Sequence, residues 1–267
     1  MSARYLLDML PSEVEAEFAN GNDLALLPIL SIEQHGPHLV LGTDGYGALA
    51  LAQELSAMTG GLALPAVPFC WEGCTNAFAG GVGVREGVFI QYLRSVVKGL
   101  WRAGFRRIVI LNTHGGNFYA MRDFPNEVLK EDGVPVLTVY GLGPSREANR
   151  MLEEAGGEAA AAAGALRLLG RDDLVAKLLD TNRKAVAEFG DSPHVQLEPP
   201  SARASRRLGN VGHDYSHECL HVQPREHLDP EKGAAALVKA AEGIVPLLED
   251  YRAYVLRLLK SGEVAAP

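Results

Sequence analysis

The chain has 267 residues, 47% of them hydrophobic and 22% charged, and carries a net charge of −8. That is the composition of a globular protein long enough to bury a sizeable core. The absence of a basic stripe excludes binding to a nucleic-acid backbone, and with no run of about eighteen apolar residues no membrane-spanning helix is expected. Three cysteines, Cys70, Cys74 and Cys219, are odd in number, too few for a disulfide framework, and read as free thiols. The opening residues, MSARYLLDMLPSEVEAEF, lack the apolar core and small-residue cleavage site of a signal peptide, which makes a cytoplasmic location the expectation.

In chain order, residues 1–22 read as a short helix stopped by Gly21-Asn22, and 23–31 as a buried strand. A helix over 45–58 ends at Gly60-Gly61, and a second strand over 62–69 carries two prolines that suit an edge or an irregular end. Residues 70–87 form a long glycine-rich loop with Trp71, Asn76 and Phe78, read as a pocket wall. A helix over 88–103 follows, with Gly104 as its natural terminator, and then the almost wholly apolar strand 107–111, as expected of a strand buried on both faces. A helix is expected over 118–131, where Pro125 kinks it or delays its start, and a strand over 134–140. Strand and helix alternate, which predicts a three-layer α/β/α architecture with a mainly parallel central sheet. Beyond it lie an alanine-rich stretch over 145–169, a helix over 172–189, an irregular segment over 191–225, and a final amphipathic helix over 229–258 with Asp229 as its cap and Pro230 in its first turn. No linker or repeat divides the chain, so one domain over 1–267 is expected.

Ligand-type side chains crowd the exit of the first strand. The stretch PILSIEQHGPHLVLGTDG, residues 28–45, holds Glu33, His35, His38 and Asp44. An open α/β sheet binds its ligand beyond the carboxyl ends of its strands. Glu33 and His35, two apart, point to the same side of an extended chain. The third strand runs into NTHGGN, residues 112–117, and brings His114 to a neighbouring strand end. Carboxylate with imidazole suits zinc, manganese or iron better than calcium or magnesium. One catalytic ion needs three protein ligands and an open position; two need more carboxylate and a bridge. Asp44 is the candidate bridge, and Glu158, at a helix start after Gly156-Gly157, the candidate fifth ligand. Two such ions, about 3.5–4 Å apart, would hold a hydroxide between them and clamp a carbonyl. Side chains at Gly115 and Gly116 would crowd such a pocket. The plain alternatives are Asp44 as a helix cap, His35 and His38 as loop histidines bonded to backbone, and HGGN as a tight turn capped by Asn117.

EQHGPHLVLGTDG followed by NTHGGN resembles the creatininase (creatinine amidohydrolase) family. The similarity takes in residues 104–110 and, more weakly, Glu231-Lys232-Gly233. The resemblance implies an α/β fold with a parallel sheet, a dinuclear site for two divalent ions (zinc or manganese, iron also being suited), a hydrolytic reaction, and a homo-oligomer, often a hexamer. Carried over residue by residue, Glu33, His35, Asp44 and His114 match metal ligands. The third family motif, a His-Ala-Gly segment ending in Glu-Thr-Ser, departs here to Glu154-Ala155-Gly156-Gly157-Glu158. Glu158 stands for the acidic ligand one residue early, Glu154 replaces the histidine, and the Thr-Ser pair is missing. Gly115-Gly116 also stand where creatininase itself carries a tyrosine and a glutamate, which moves creatinine out of first place as substrate.

A proton-transfer group must then come from Glu154 or from the segment holding His213, His217 and His221, which fall four apart and share a face if helical. Glu154, His217 and His213 are the expected acid–base residues; a separate metal site with Asp214 and Glu218 is the other reading of that segment. His38 is expected to orient its loop, and Arg85 and Glu86 to be surface charges, while Arg203 or Arg206 would suit an anionic substrate. The expected activity is metal-dependent hydrolysis of a small cyclic or formyl amide. Its rival among reactions is carbon–carbon hydrolysis of a cyclic diketone such as 3-dehydro-scyllo-inosose. Its rival in kind is a non-catalytic metal- or ligand-binding protein on the same fold.

Overall fold

The structure, a computed structural model, describes residues 2–71, 78–190 and 221–264. Five parallel strands form one sheet in the order β1-β3-β2-β4-β5: β1 Arg4–Tyr5, β2 Leu24–Pro28, β3 Leu62–Ala63, β4 Arg107–Asn112 and β5 Val136–Tyr140. The helices are α1 Pro11–Ala19, α2 Thr43–Thr59, α3 Glu86–Ala103, α4 Gly115–Ala120, α5 Phe124–Asp132, α6 Arg146–Ala155, α7 Glu158–Leu168, α8 Asp172–Phe189 and α9 Pro230–Ser261.

Side-chain alternation along the central strands builds the three layers. Ala25, Leu27, Ile108 and Ile110 face a core shared with Phe89, Leu93 and Val97 of α3 and Phe124 and Val128 of α5. Leu24, Leu26, Val109 and Leu111 face the opposite core, made with α2, with Ala148 of α6 and with α9. A third apolar group joins α7 to α8 through Ala159, Ala162, Leu166, Val175 and Leu178.

The elements differ from the sequence expectation where local signals were shortest. Strand β1 spans only two residues, too few to show any period, and extends the sheet beside β3. Strand β3 stops at Ala63 because prolines at 65 and 68 cannot donate to a ladder; beyond it only Val67 bridges to Ile29. The helix expected over 118–131 is two, with Pro125 in the first turn of the second, so the proline delays a start rather than kinking a helix. Asp229 caps α9, accepting from the Lys232 amide at 2.9 Å, with Pro230 first in the helix as expected.

The alanine-rich stretch is also two helices, broken at Gly156 and Gly157 (φ +121° and +67°). A Cβ at Gly156 would lie 2.6 Å from the carbonyl oxygen of His227. Helix α7 then crosses α9 backbone to backbone: a Cβ on Gly164 would meet Gly233 at 2.3 Å, and one on Gly233 the Ala160 carbonyl at 2.0 Å. This approach seats α7 on the body of the molecule and aims its first residue, Glu158, at the carboxyl ends of β2 and β4. Among the described residues no helix is long and apolar enough to cross a membrane.

Candidate metal centre

The two central strands deliver the site. β2 and β4 pair in register from Leu24–Arg107 to Pro28–Leu111. Past Leu30 the chain leaves the sheet, and the Glu33 amide donates to the Leu41 carbonyl at 3.0 Å, closing a loop that holds Glu33 and His35 inward. Helix α2 starts at Thr43 with Gly42 at its cap, so Asp44 is a first-turn residue whose carboxylate is not used for capping. Gly45 lets α2 enter close to the strand exit, since a Cβ there would fall 2.1 Å from the Leu30 side chain. His114 follows β4; its carbonyl accepts from Asn112 Nδ2 at 2.8 Å, and Asn117 Nδ2 in turn donates to Asn112 Oδ1 at 2.9 Å. Asn117 therefore braces the turn from within α4 and is not its cap, which is His114. Gly116 has a specific reason to be glycine: a Cβ would lie 2.5 Å from His114 Nε2, whereas Gly115 has open space around it.

The five expected ligands converge. His114 Nδ1 is 2.6 Å from Glu33 Oε1 and 2.9 Å from Asp44 Oδ2. His35 Nε2 is 3.4 Å from Asp44 Oδ1, 3.4 Å from Glu158 Oε1 and 3.5 Å from Glu33 Oε1. Among the described residues Glu33, His35 and His221 form one donor group, and two more share Asp44, Glu33–Asp44–His114 and His35–Asp44–Glu158, each with its ligand atoms within 4.8 Å of one another. Asp44 turns a different oxygen toward the histidine of each of these two. His35 donates Nδ1–H to the Glu33 carbonyl at 3.2 Å, which leaves Nε2 as the ring atom facing the carboxylates. Ser31 Oγ donates to Asp44 Oδ2 at 3.1 Å, and Thr113 Oγ1 to the Asp44 carbonyl. These two hydroxyls were missed in the sequence; their places at the ends of the two strands were the available signal.

The electrostatics call for a cation. Three carboxylates meet in a pocket where Glu33, His35 and His114 are buried. Burial works against charge on both imidazoles, yet the carboxylates win. Asp44, with Glu33 and Glu158, pushes His35 up to about 9, and Asp44 and Glu33 push His114 up to about 10. Burial also opposes ionisation of Asp44, but His35 and His114 outweigh it and hold the carboxyl well below the usual range. Burial raises Glu158, helped by Asp44 and Glu33, although 47% of its side-chain surface is accessible. Protons thus stand where a cation would, and divalent ions fit the donor set by charge, by ligand type and by the inward Nε2 of His35, whose proton an ion would displace.

The other expected residues fall elsewhere. Glu154 is not brought to the cluster. It lies on the exposed face of α6, with Lys232 Nζ at 2.5 Å and Arg150 at 4.0 Å, because the Gly156-Gly157 turn separates it from Glu158. His213 and His217 lie outside the described residues, as do Asp214, Glu218, Arg203, Arg206, Asn76, Cys74 and Cys219. His221 is described and stands beside His35, ring centroids 5.3 Å apart. The His38 ring is buried against Gly36, and its carbonyl accepts from Thr181 Oγ1 at 2.7 Å, tying the ligand loop to α8. Arg85 and Glu86 are exposed at the start of α3, and Cys70 is a buried free thiol pushed up to about 12, mainly by burial.

Known proteins resemble the chain in sequence and in fold. The chain is 33% identical over 97 residues to the 3-dehydro-scyllo-inosose hydrolase of Thermotoga maritima, covering 36% of this chain and 31% of that one. It is 27% identical over 110 residues to the creatinine amidohydrolase of Pseudomonas putida, covering 39% and 42%. It is 36% identical over 108 residues to the mycofactocin precursor peptide peptidase of Mycolicibacterium smegmatis, covering 37% and 42%. The chain thus spans less than half the length of these three curated relatives. A crystal structure of creatininase superposes with a TM-score of 0.72 over 94% of this chain and 98% of that one, at 19% identity, and so shares the fold. Similar folds include a Zn-Zn form of a creatininase mutant and a manganese creatininase. The family profile described as creatininase, creatinine amidohydrolase, matches residues 8–248, and the chain belongs to the creatininase family.

Proposed function

We propose that the protein is a hydrolase that cleaves a small cyclic or formyl amide with the help of two divalent ions, zinc or manganese. The observation that carries this reading is Asp44, whose two oxygens face two separate donor groups. Glu33 and His114 would hold one ion, His35 and Glu158 the other, and Asp44 both. Such ions supply an activated water and polarise a carbonyl oxygen. The chain does the rest. The loop over 33–41 and the Asn112–Asn117 brace fix the donors before substrate arrives, the His35–Glu33 backbone bond keeps one tautomer, and Gly116 leaves the His114 ring its place.

A second reading, carbon–carbon hydrolysis of a cyclic diketone, is favoured by the similarity to the inosose hydrolase. The deciding experiment is mass-spectrometric detection of added water across creatinine, other cyclic amides, formamides, short peptides and oxidised inositols, with zinc- or manganese-loaded protein and its ion content measured. Cleavage of an amide supports the first reading. Cleavage of the diketone alone replaces it with the second, and protein that holds no ion sinks both. Self-association belongs to the same reading: Tyr119 of α4 and Val88 of α3 are 70% and 57% exposed and suit burial against further copies, which sedimentation velocity tests.

A further inference from the structure

We propose that His221 is the proton-transfer group of this site, on the reading that the site hydrolyses an amide. Its placement carries the argument. A His221 ring nitrogen and the ligand atoms of Glu33 and His35 lie within 4.8 Å of one another. Glu33 belongs to one donor group and His35 to the other, so His221 faces the cluster where the two groups adjoin. Asp44, which the two donor groups share, is not part of this third set. The other five donors make up two groups without it, and His221 adjoins both of them through Glu33 and His35.

Its backbone adds an independent observation. At φ +63° His221 is the one non-glycine residue in the left-handed region among the described residues. That conformation costs an ordinary side chain about 1–2 kcal/mol. Such costs persist where the surroundings fix them, and here they do. Val222 is buried against the α7–α8 core, the Asn182 side chain bonds both the amide and the carbonyl of Arg225 at 3.2 and 2.8 Å, and the Asp229 amide donates to the Ala155 carbonyl at 2.9 Å. The segment that follows His221 is clamped at three points, and the strained residue at its head holds its ring at the cluster.

The proton count closes. Water adds its oxygen to the carbonyl carbon, and the bond from that carbon to nitrogen breaks with its electron pair going to nitrogen. One water proton passes to a ring nitrogen of His221 and from there to the leaving nitrogen; the other stays with the acid formed. His221 ends as it began.

The test is His221→Gly, since glycine adopts a positive φ without cost. The ion-loaded variant should keep two ions by elemental analysis and melt no lower than the wild type. Its kcat on whichever panel amide the wild type cleaves should fall at least about a hundredfold with KM little changed, and added imidazole should restore part of the rate. Loss of an ion would make His221 a ligand, and a lower melting temperature with turnover intact would make it a structural residue; either result overturns the proposal. Equal turnover in both proteins overturns it alone. A wild type that cleaves no amide overturns the amide reading and this proposal with it.

Discussion

The two ends of the same strand pair treat charge in opposite ways. At the amino ends of β2 and β4, Asp23 meets Arg107, acid against base, with Arg107 also donating to the Gly21 carbonyl at 3.1 Å. One fixed positive charge answers one negative charge, and the pair needs nothing further. At the carboxyl ends, three carboxylates are drawn together with imidazoles, which carry charge only when protonated, and with no arginine or lysine among the described residues there. Nothing fixed balances them, so protons or ions must. Charge matched within the chain ties elements together, while charge left unmatched and partly buried is a place prepared for something from outside.

Asp44→Asn attacks the unmatched end directly. The amide keeps the shape but removes the charge and one acceptor, and turnover with ion content should fall by more than the ten- to hundredfold that loss of a partner outside the ligand shell costs. Two ions and full turnover in that variant would erase the contrast between the strand ends. Gly116→Ala should weaken ion binding about ten- to a hundredfold, read by competition with a chelator, because the new methyl takes the place of the His114 ring. The melting temperature of the ion-free variant should change little, which separates a displaced ligand from a damaged core.

Gly233→Ala should lower stability by about 1–3 kcal/mol, offset in part by the better helix propensity of alanine. The Cβ overlaps the Ala160 carbonyl and must push α7 outward, carrying Glu158 with it. Calorimetry should show a lower melting temperature and titration a weaker second ion; an unchanged ion count would disconnect the helix crossing from the site.

The metal-free protein should lose stability as pH rises. His35 and His114, raised to about 9 and about 10 from 6.5, contribute stability fully below pH 6.5 and lose it progressively up to about pH 10. Melting curves of the ion-free protein from pH 6 to 10 should therefore fall, and ions should flatten the slope by replacing the protons. Arg107→Met should have the smallest effect, about 1 kcal/mol or less, with no change in ion content, since it touches only the balanced end.

Much of this was legible in order and spacing. Glu33, His35, Asp44 and His114 follow apolar strands at their carboxyl ends, and strand polarity alone places such residues on one edge. Glu158 was legible because two glycines precede a helix start. Ser31 and Thr113 were not, since a hydroxyl after a strand is too common to single out. Glu154 was misplaced because a contiguous motif hid a turn between two helices, whereas His221 was recognised only as one of a spaced trio.

The sequence by itself determined the parallel α/β/α layering and the placing of acid and imidazole side chains at the strand ends, because both follow from local periodicity and from chain direction. Only the tertiary structure decided that Asp44 faces two donor groups, that Glu158 arrives through a glycine-to-backbone crossing of α7 on α9, and that His221 stands over the result. Those relations join residues separated by tens to nearly two hundred positions, and side-chain reach across such gaps is set by helix packing and backbone approach, which no local pattern records.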